Sequence, residues 1–442
     1  MRKKQNLTDP SVNSAGGAKL SRGAVRRIAL AAAASRVILL ILILWLSFFE
    51  PLYEKYRIWF LCGLFLVCIS ALFSRGRGVR DIFSGTQDRF LWLYLAVITA
   101  GIFIAQDRRA VLYQYPRYAL IILPTYYLFK SGFPSLAQKE KICKLVAGCA
   151  VAVAAYAIWE WATGRNFICE RIMCCKYYGY YAGQHRPVAT QESAVVLATY
   201  LVACLPLAYH FFVKAQGGWR KAAWLAAITV IALAMLFTLT RVAFLAAACS
   251  AVFYFLRRSK KAVFFALSLL LILSITASAG FYQNKFWRLG PQGLTDKPAW
   301  TFRMARLEIA LKMLKDYPVL GLGLENFRSR FNEYSRVKEN NIHFRIPDNM
   351  YLMILAESGL LGFLSFILCV YFLLKNIFLY LPSRAPQDSA LYFALLAALL
   401  GIAVAMVSYD ALYWLVPLFF FWMYYGMLAS LAPAASSKPA GC

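Results

Sequence analysis

Apolar runs of membrane-spanning length alternate with short polar segments along nearly the whole chain. They fall at 28–49, 57–74, 89–106, 110–129, 142–163, 189–212, 221–239, 241–256, 262–282, 349–374, 390–409 and 411–430. A helix of about 17–25 apolar residues matches the hydrocarbon thickness of a bilayer. The pattern predicts an all-α polytopic membrane protein with about twelve transmembrane helices. The seventh and eighth runs join so tightly at Thr240-Arg241 that eleven or thirteen are alternative counts. The chain divides into a basic tail at 1–27, a transmembrane domain at 28–430 and a short tail at 431–442. The first run ends in Glu50-Pro51 with no small-residue cleavage site, which predicts a retained helix rather than a removed signal peptide.

Two polar segments are long, 164–188 and 283–348. The second contains an amphipathic helix at 301–316, with Met304, Leu307, Leu311 and Leu314 on one face and Arg303 and Arg306 off that stripe. Pro318 ends it, and Gly321 and Gly323 give a flexible turn. Such a helix is expected to lie flat on the membrane surface, apolar face down. A structureless loop of this length is unusual and points to function.

Composition agrees: 61% of residues are hydrophobic and the mean hydropathy is +0.58. The formal charge of +28 is scattered among apolar runs, which argues against nucleic acid and for a cationic rim facing membrane lipid. Loop charge sets the orientation. With the N-terminus in the cytoplasm, Arg75, Arg77, Arg80 and Arg89 lie inside, as do Lys130, Lys139, Lys141 and Lys144. So do Lys214, Arg220 and Lys221, and then Arg257, Arg258, Lys260 and Lys261, and both termini are cytoplasmic. The two long loops are then external. No internal repeat is evident, which counts against a transporter built from repeats. The eleven cysteines show neither CxxC nor Cys/His zinc spacing, and no metal is expected. Cys169, Cys174 and Cys175 share one outer loop, so either Cys169 pairs with Cys174 or Cys175 or all three are free thiols.

Charges in or beside apolar runs mark functional sites or their partners. They are Arg36, Arg117, Glu160, Glu192, Arg241, Glu357 and Asp410. Arg36 and Glu160 lie near helix ends, where snorkelling is the simpler explanation. Arg241, Arg303, Arg306 and Arg117 suit a diphosphate, because a guanidinium fork matches phosphate oxygens and stays charged. Asp348 and His343 are alternative proton acceptors, and Asp348 also suits an N-cap of the following helix. The Gly321-x-Gly323 pair is too short for a dinucleotide or P-loop site, so no cofactor is expected.

One set of residues is familiar. Arg303-x3-Leu307-x2-Ala310 precedes Asp316-Tyr317-Pro318-x2-Gly321-x-Gly323-x2-Asn326-Phe327. Then comes Asp348-Asn349-x-Tyr351-Leu352-x4-Glu357-x-Gly359-Leu360-x-Gly362. This pattern, with the turn Thr238-Leu239-Thr240-Arg241, resembles the O-antigen ligase/polymerase superfamily. The resemblance implies a GT-C-like helical glycosyltransferase of the bacterial inner membrane, with a large, partly helical periplasmic loop. It implies a donor glycan on undecaprenyl diphosphate, and an acceptor that is another glycan or lipid A-core. Other polysaccharide-assembly proteins are implied as partners. By motif position Arg241 and Arg303 would bind the diphosphate. Ligases of the family usually read His-Asn-x-Tyr-Leu, with the histidine as base. Here Asp348 stands at that histidine's place, which leaves polymerase and ligase both open. An alternative function is a transporter or flippase for a lipid-linked saccharide, with Arg117, Glu192 and Arg241 lining its path; another is an inactive scaffold in a polysaccharide complex.

Overall fold

The computed structural model describes residues 37–49, 52–73, 85–133, 135–171, 180–181, 184–256, 297–340, 345–382 and 386–431. Outside them lie the predicted run 262–282, both tails, Arg36, His343, Cys174 and Cys175, and the inner-loop arginines and lysines at 75–80 and 257–261. The first half of the described chain folds as α1 (Val37–Phe48), α2 (Tyr53–Phe73), α3 (Thr86–Ile104), α4 (Arg108–Ser131) and α5 (Leu136–Thr163). A short α6 (Phe167–Arg171) and a two-residue hairpin, β1 (Tyr180–Tyr181) with β2 (Gln184–His185), follow. Then come α7 (Ala194–Lys214), α8 (Gly218–Phe237) and α9 (Arg241–Leu256). The second half holds α10 (Lys297–Asp316), α11 (Asn326–Tyr334), α12 (Met350–Tyr380), α13 (Pro386–Ala405), a 3-10 turn at Ala411–Tyr413 and α14 (Leu415–Ala429). Within the described residues each predicted run therefore overlaps a helix, with 28–36 and 262–282 outside them. Six of these helices are long and apolar enough to cross a membrane.

The centre of the bundle is α14. Every one of its residues is buried, including Phe419, Phe420, Phe421, Trp422, Tyr424 and Tyr425. A helix apolar all round must lie inside other protein or lipid, and here it lies inside protein. It packs on α4, α7, α12 and α13. The approach to α4 is close: a Cβ on Gly426 would sit 2.6 Å from the Tyr126 carbonyl oxygen. Outer surfaces carry exposed leucines such as Leu360 and Leu364 on α12, as expected where lipid replaces water.

Helix α10 packs on α12 and buries Arg306, Ile309, Ala310 and Met313. Met304 and Leu311, on the predicted apolar stripe, stay exposed on the side away from the core. One expectation is corrected: Glu160 does not snorkel. It is fully buried in the last turn of α5 and accepts hydrogen bonds from Val188 N (3.1 Å), Ala189 N (2.6 Å) and Asn166 Nδ2 (2.9 Å). Several donors on one carboxylate offset its desolvation.

Candidate active site

The motif residues build one end of the bundle. Helix α12 is broken at Gly359, whose φ of 64° and ψ of −170° are not helical. In an unbroken helix the N–H groups of residues 360 and 361 would bond the carbonyls four residues earlier. Here Leu360 N donates to Pro318 O (2.8 Å) and Leu361 N to Val319 O (3.1 Å). The carbonyls they abandon accept from the same turn: Leu322 N donates to Ala356 O (3.0 Å) and Gly323 N to Glu357 O (2.9 Å). The turn after α10 thus repairs the break it causes. Glycine is required there by space as well as by positive φ: a Cβ on Gly321 would lie 2.4 Å from the Glu357 carbonyl carbon, and one on Gly323 would lie 2.8 Å from Ala105 Cβ.

This join fixes α11. Glu357 accepts from Phe327 N (3.3 Å) in the first turn of α11 and from the Tyr413 hydroxyl, so it caps a neighbouring helix. Asn326 accepts from Asp107 N (3.0 Å) and donates to Asp107 O (3.3 Å), tying α11 to the start of α4. Arg328 donates to Asp410 (3.1 Å) and lies 3.6 Å from Glu325. Glu325 also accepts from Gln114 (3.0 Å). Burial pushes the Glu325 carboxyl above its ordinary range, against the pull of Arg328 and Arg117.

An ion pair lies beside it. Arg306, on the buried face of α10, donates through Nη1 to Asp348 Oδ2 at 2.6 Å. Its side chain is 2% exposed and that of Asp348 is 29% exposed, so the carboxylate is the more accessible member. The expected cap on α12 belongs one residue later. Asn349 is the N-cap, accepting from Leu352 N (3.1 Å), and Asp348 is thereby left for Arg306. Asp348 takes φ of 48°, a conformation that aspartate, asparagine and histidine tolerate best among non-glycine residues. Burial raises its carboxyl above the ordinary carboxylate range, with Asp410 adding to the rise and Arg306 and Arg303 opposing it. Tyr351 turns away and donates to Ala403 O (2.9 Å) on α13.

Arg303 is exposed one turn earlier on α10 and donates to Ser408 Oγ (3.1 Å). Arg241 opens α9. Ser250, nine residues on, donates to Ala397 O (2.7 Å) on α13. The two helices run in opposite senses, because Lys139 at the start of α5 bonds Tyr392 at the start of α13, while Arg186, beyond the end of α5, bonds Thr238 and Thr240 just before α9; nine residues of helix rise about 14 Å. That register brings Arg241 to the level of the 406–410 turn, which carries Ser408 and Asp410. Cys169 is disulfide-bonded to a cysteine outside the described residues. Among the described residues no three His, Cys, Asp or Glu side chains are grouped to hold a metal ion. Sequence reasoning missed Arg186, Glu325, Arg328, Ser408 and Tyr413. Arg186, Glu325 and Arg328 stand in predicted loops and Ser408 and Tyr413 in apolar runs, and only the packing of distant segments singles them out.

Six helices long and apolar enough to cross a membrane, packed round a fully buried one, are the build of a polytopic membrane protein. Residues 225–367 match the family model described as O-antigen ligase, and the match supports the O-antigen ligase/polymerase superfamily. It supports a polymerase- or ligase-type function in O-antigen assembly and a glycosyltransferase-like enzyme. No curated protein matches the chain.

Proposed function

We propose that the protein transfers glycan from an undecaprenyl-diphosphate carrier to an acceptor hydroxyl at the periplasmic face of the bacterial inner membrane, as a polymerase or ligase. The observation that carries this is the Arg306–Asp348 pair, with Arg303 and Arg241 disposed around the 406–410 turn. The acceptor oxygen attacks the anomeric carbon as Asp348 takes its proton. The carbon–oxygen bond to the diphosphate breaks, and the diphosphate leaves with the electron pair. Arg303 and Arg241 stabilise the charge on the leaving group, and the chemistry needs neither general acid nor metal. A single displacement inverts the anomeric centre.

Arg303→Ala and Arg241→Ala are expected to abolish long glycan while the protein still inserts. One preorganised donor to developing charge is worth about 10²–10³ in rate. Glycan profiles of a complemented deletion strain, with carrier-linked glycan assayed alongside, check this; normal long glycan in both variants excludes the mechanism.

The pH profile gives a second test. Asp348 must be deprotonated to act, so transfer falls as pH drops through its pKa, which lies above the ordinary value. Arg306 opposes that rise. Arg306→Gln removes the opposing charge, so the acid limb of the pH–rate profile moves to higher pH. A limb that stays put, measured on purified enzyme with carrier-linked donor, removes Asp348 from the role of base.

A further inference from the structure

The outer loop after α5 is tied to the turn that presents Arg241, although the two are far apart in sequence. Glu160 organises the loop through the three donors given above, and His185 Nε2 stands 3.5 Å from it. Asn166 adds a second layer. Its amide also donates to Ala189 O (2.8 Å), and its oxygen accepts from Tyr156 OH (2.9 Å) and Cys169 N (3.0 Å). Ala189 is held at φ 52°, which an alanine adopts only where its surroundings over-determine it. From this braced segment Arg186 reaches across to the end of α8. Its Nε donates to Thr238 O (2.7 Å) and its Nη2 to Thr240 Oγ1 (2.9 Å). The residue between those two contacts, Leu239, also has a positive φ of 52°. Arg241 follows directly as the first residue of α9. The fork of Arg186 therefore clamps both sides of a strained residue two positions before Arg241.

We propose that Glu160 and Arg186 are positioning residues for Arg241, so that the loop after α5 sets how tightly the diphosphate end of the donor is held. The proposal rests on the transfer reaction above and assigns these two residues to donor binding through the 238–241 turn. Lysine cannot reproduce the fork, because it is a point charge on a flexible stem. Glutamine at 160 turns one acceptor oxygen into an NH2 group facing backbone N–H donors.

The test uses full-length protein in membranes, with carrier-linked donor varied at saturating acceptor. Arg186→Lys, Glu160→Gln and Thr240→Val are compared with wild type. Losing one hydrogen bond to a charged group corresponds to a change of about tenfold or more. The expected result is a donor KM raised about tenfold in each variant, with kcat falling as well because Arg241 also stabilises the leaving group, and acceptor KM within threefold. A folding defect would instead lower kcat through the active fraction and leave KM alone. Well-inserted variants with unchanged donor KM overturn the proposal. If the wild-type protein turns over no carrier-linked donor, the transfer reaction falls. Hydrogen exchange then decides the clamp: faster exchange of the 238–243 amides in Arg186→Lys and Thr240→Val supports it, and unchanged exchange overturns it.

Discussion

Asp348→Asn is expected to lower glycan transfer by about 10²–10⁴-fold, the usual share of a general base, and to leave insertion and donor KM unchanged. Asparagine is the informative substitution because the backbone there has φ of 48°. Asparagine tolerates that conformation, and its oxygen can still accept from Arg306 Nη1. The capacity to take a proton is lost, together with the charge that pairs with Arg306. Alanine would add backbone strain and confuse the two effects. One gel separates the outcomes. Single capped units without long chains identify a polymerase, and bare core with long glycan left on the carrier identifies a ligase. Turnover within threefold of wild type shifts the role of base to His343.

The same backbone geometry accounts for the departure from the family's histidine. Histidine, asparagine and aspartate are the side chains enriched at positive φ. A base at position 348 is therefore drawn from histidine or aspartate if the turn into α12 is kept. Asp348→His is expected to retain measurable transfer, because it keeps both the backbone conformation and a proton acceptor.

Helices were legible because apolar runs of spanning length report burial directly. The run at 411–430 was found, although not that its helix would be the fully buried centre. Hydropathy cannot distinguish a lipid-facing helix from one enclosed by protein. Periodicity likewise found the apolar stripe on α10, but could not say that the flanking face, with Arg306, packs on α12. In the site, Asp348 and Arg306 were visible as residue types in a pattern, and their 2.6 Å contact was not. Arg186 escaped notice and Glu160 was read as snorkelling, because a loop arginine and a glutamate at a helix end have ordinary explanations. Their significance lies in which distant backbone groups they bond, and sequence spacing carries no such information.

Gly359→Ala is expected to cost about 3 kcal/mol or more of stability and to abolish transfer with it. At φ 64° and ψ −170° the backbone lies where only glycine is comfortable. A Cβ there would stand 2.3 Å from Val319 O and 2.6 Å from Gly321 N. Neither is a flexible side chain, so the turn has to move away from α12. Moving it breaks the exchange in which Leu360 and Leu361 donate to Pro318 and Val319, and Leu322 and Gly323 donate to Ala356 and Glu357. Buried backbone groups would then be left unsatisfied on both segments. Between α10 and α11 this turn sets the distance from Arg306 to Arg328, so its displacement reaches the Asp348 pair. Gly148→Ala is the control, since a Cβ at that helical position meets nothing within 4 Å. The thermal unfolding midpoint in detergent should fall by several degrees in Gly359→Ala and hold or rise in Gly148→Ala. If both variants unfold alike and both transfer glycan normally, the break in α12 is not what holds the site together.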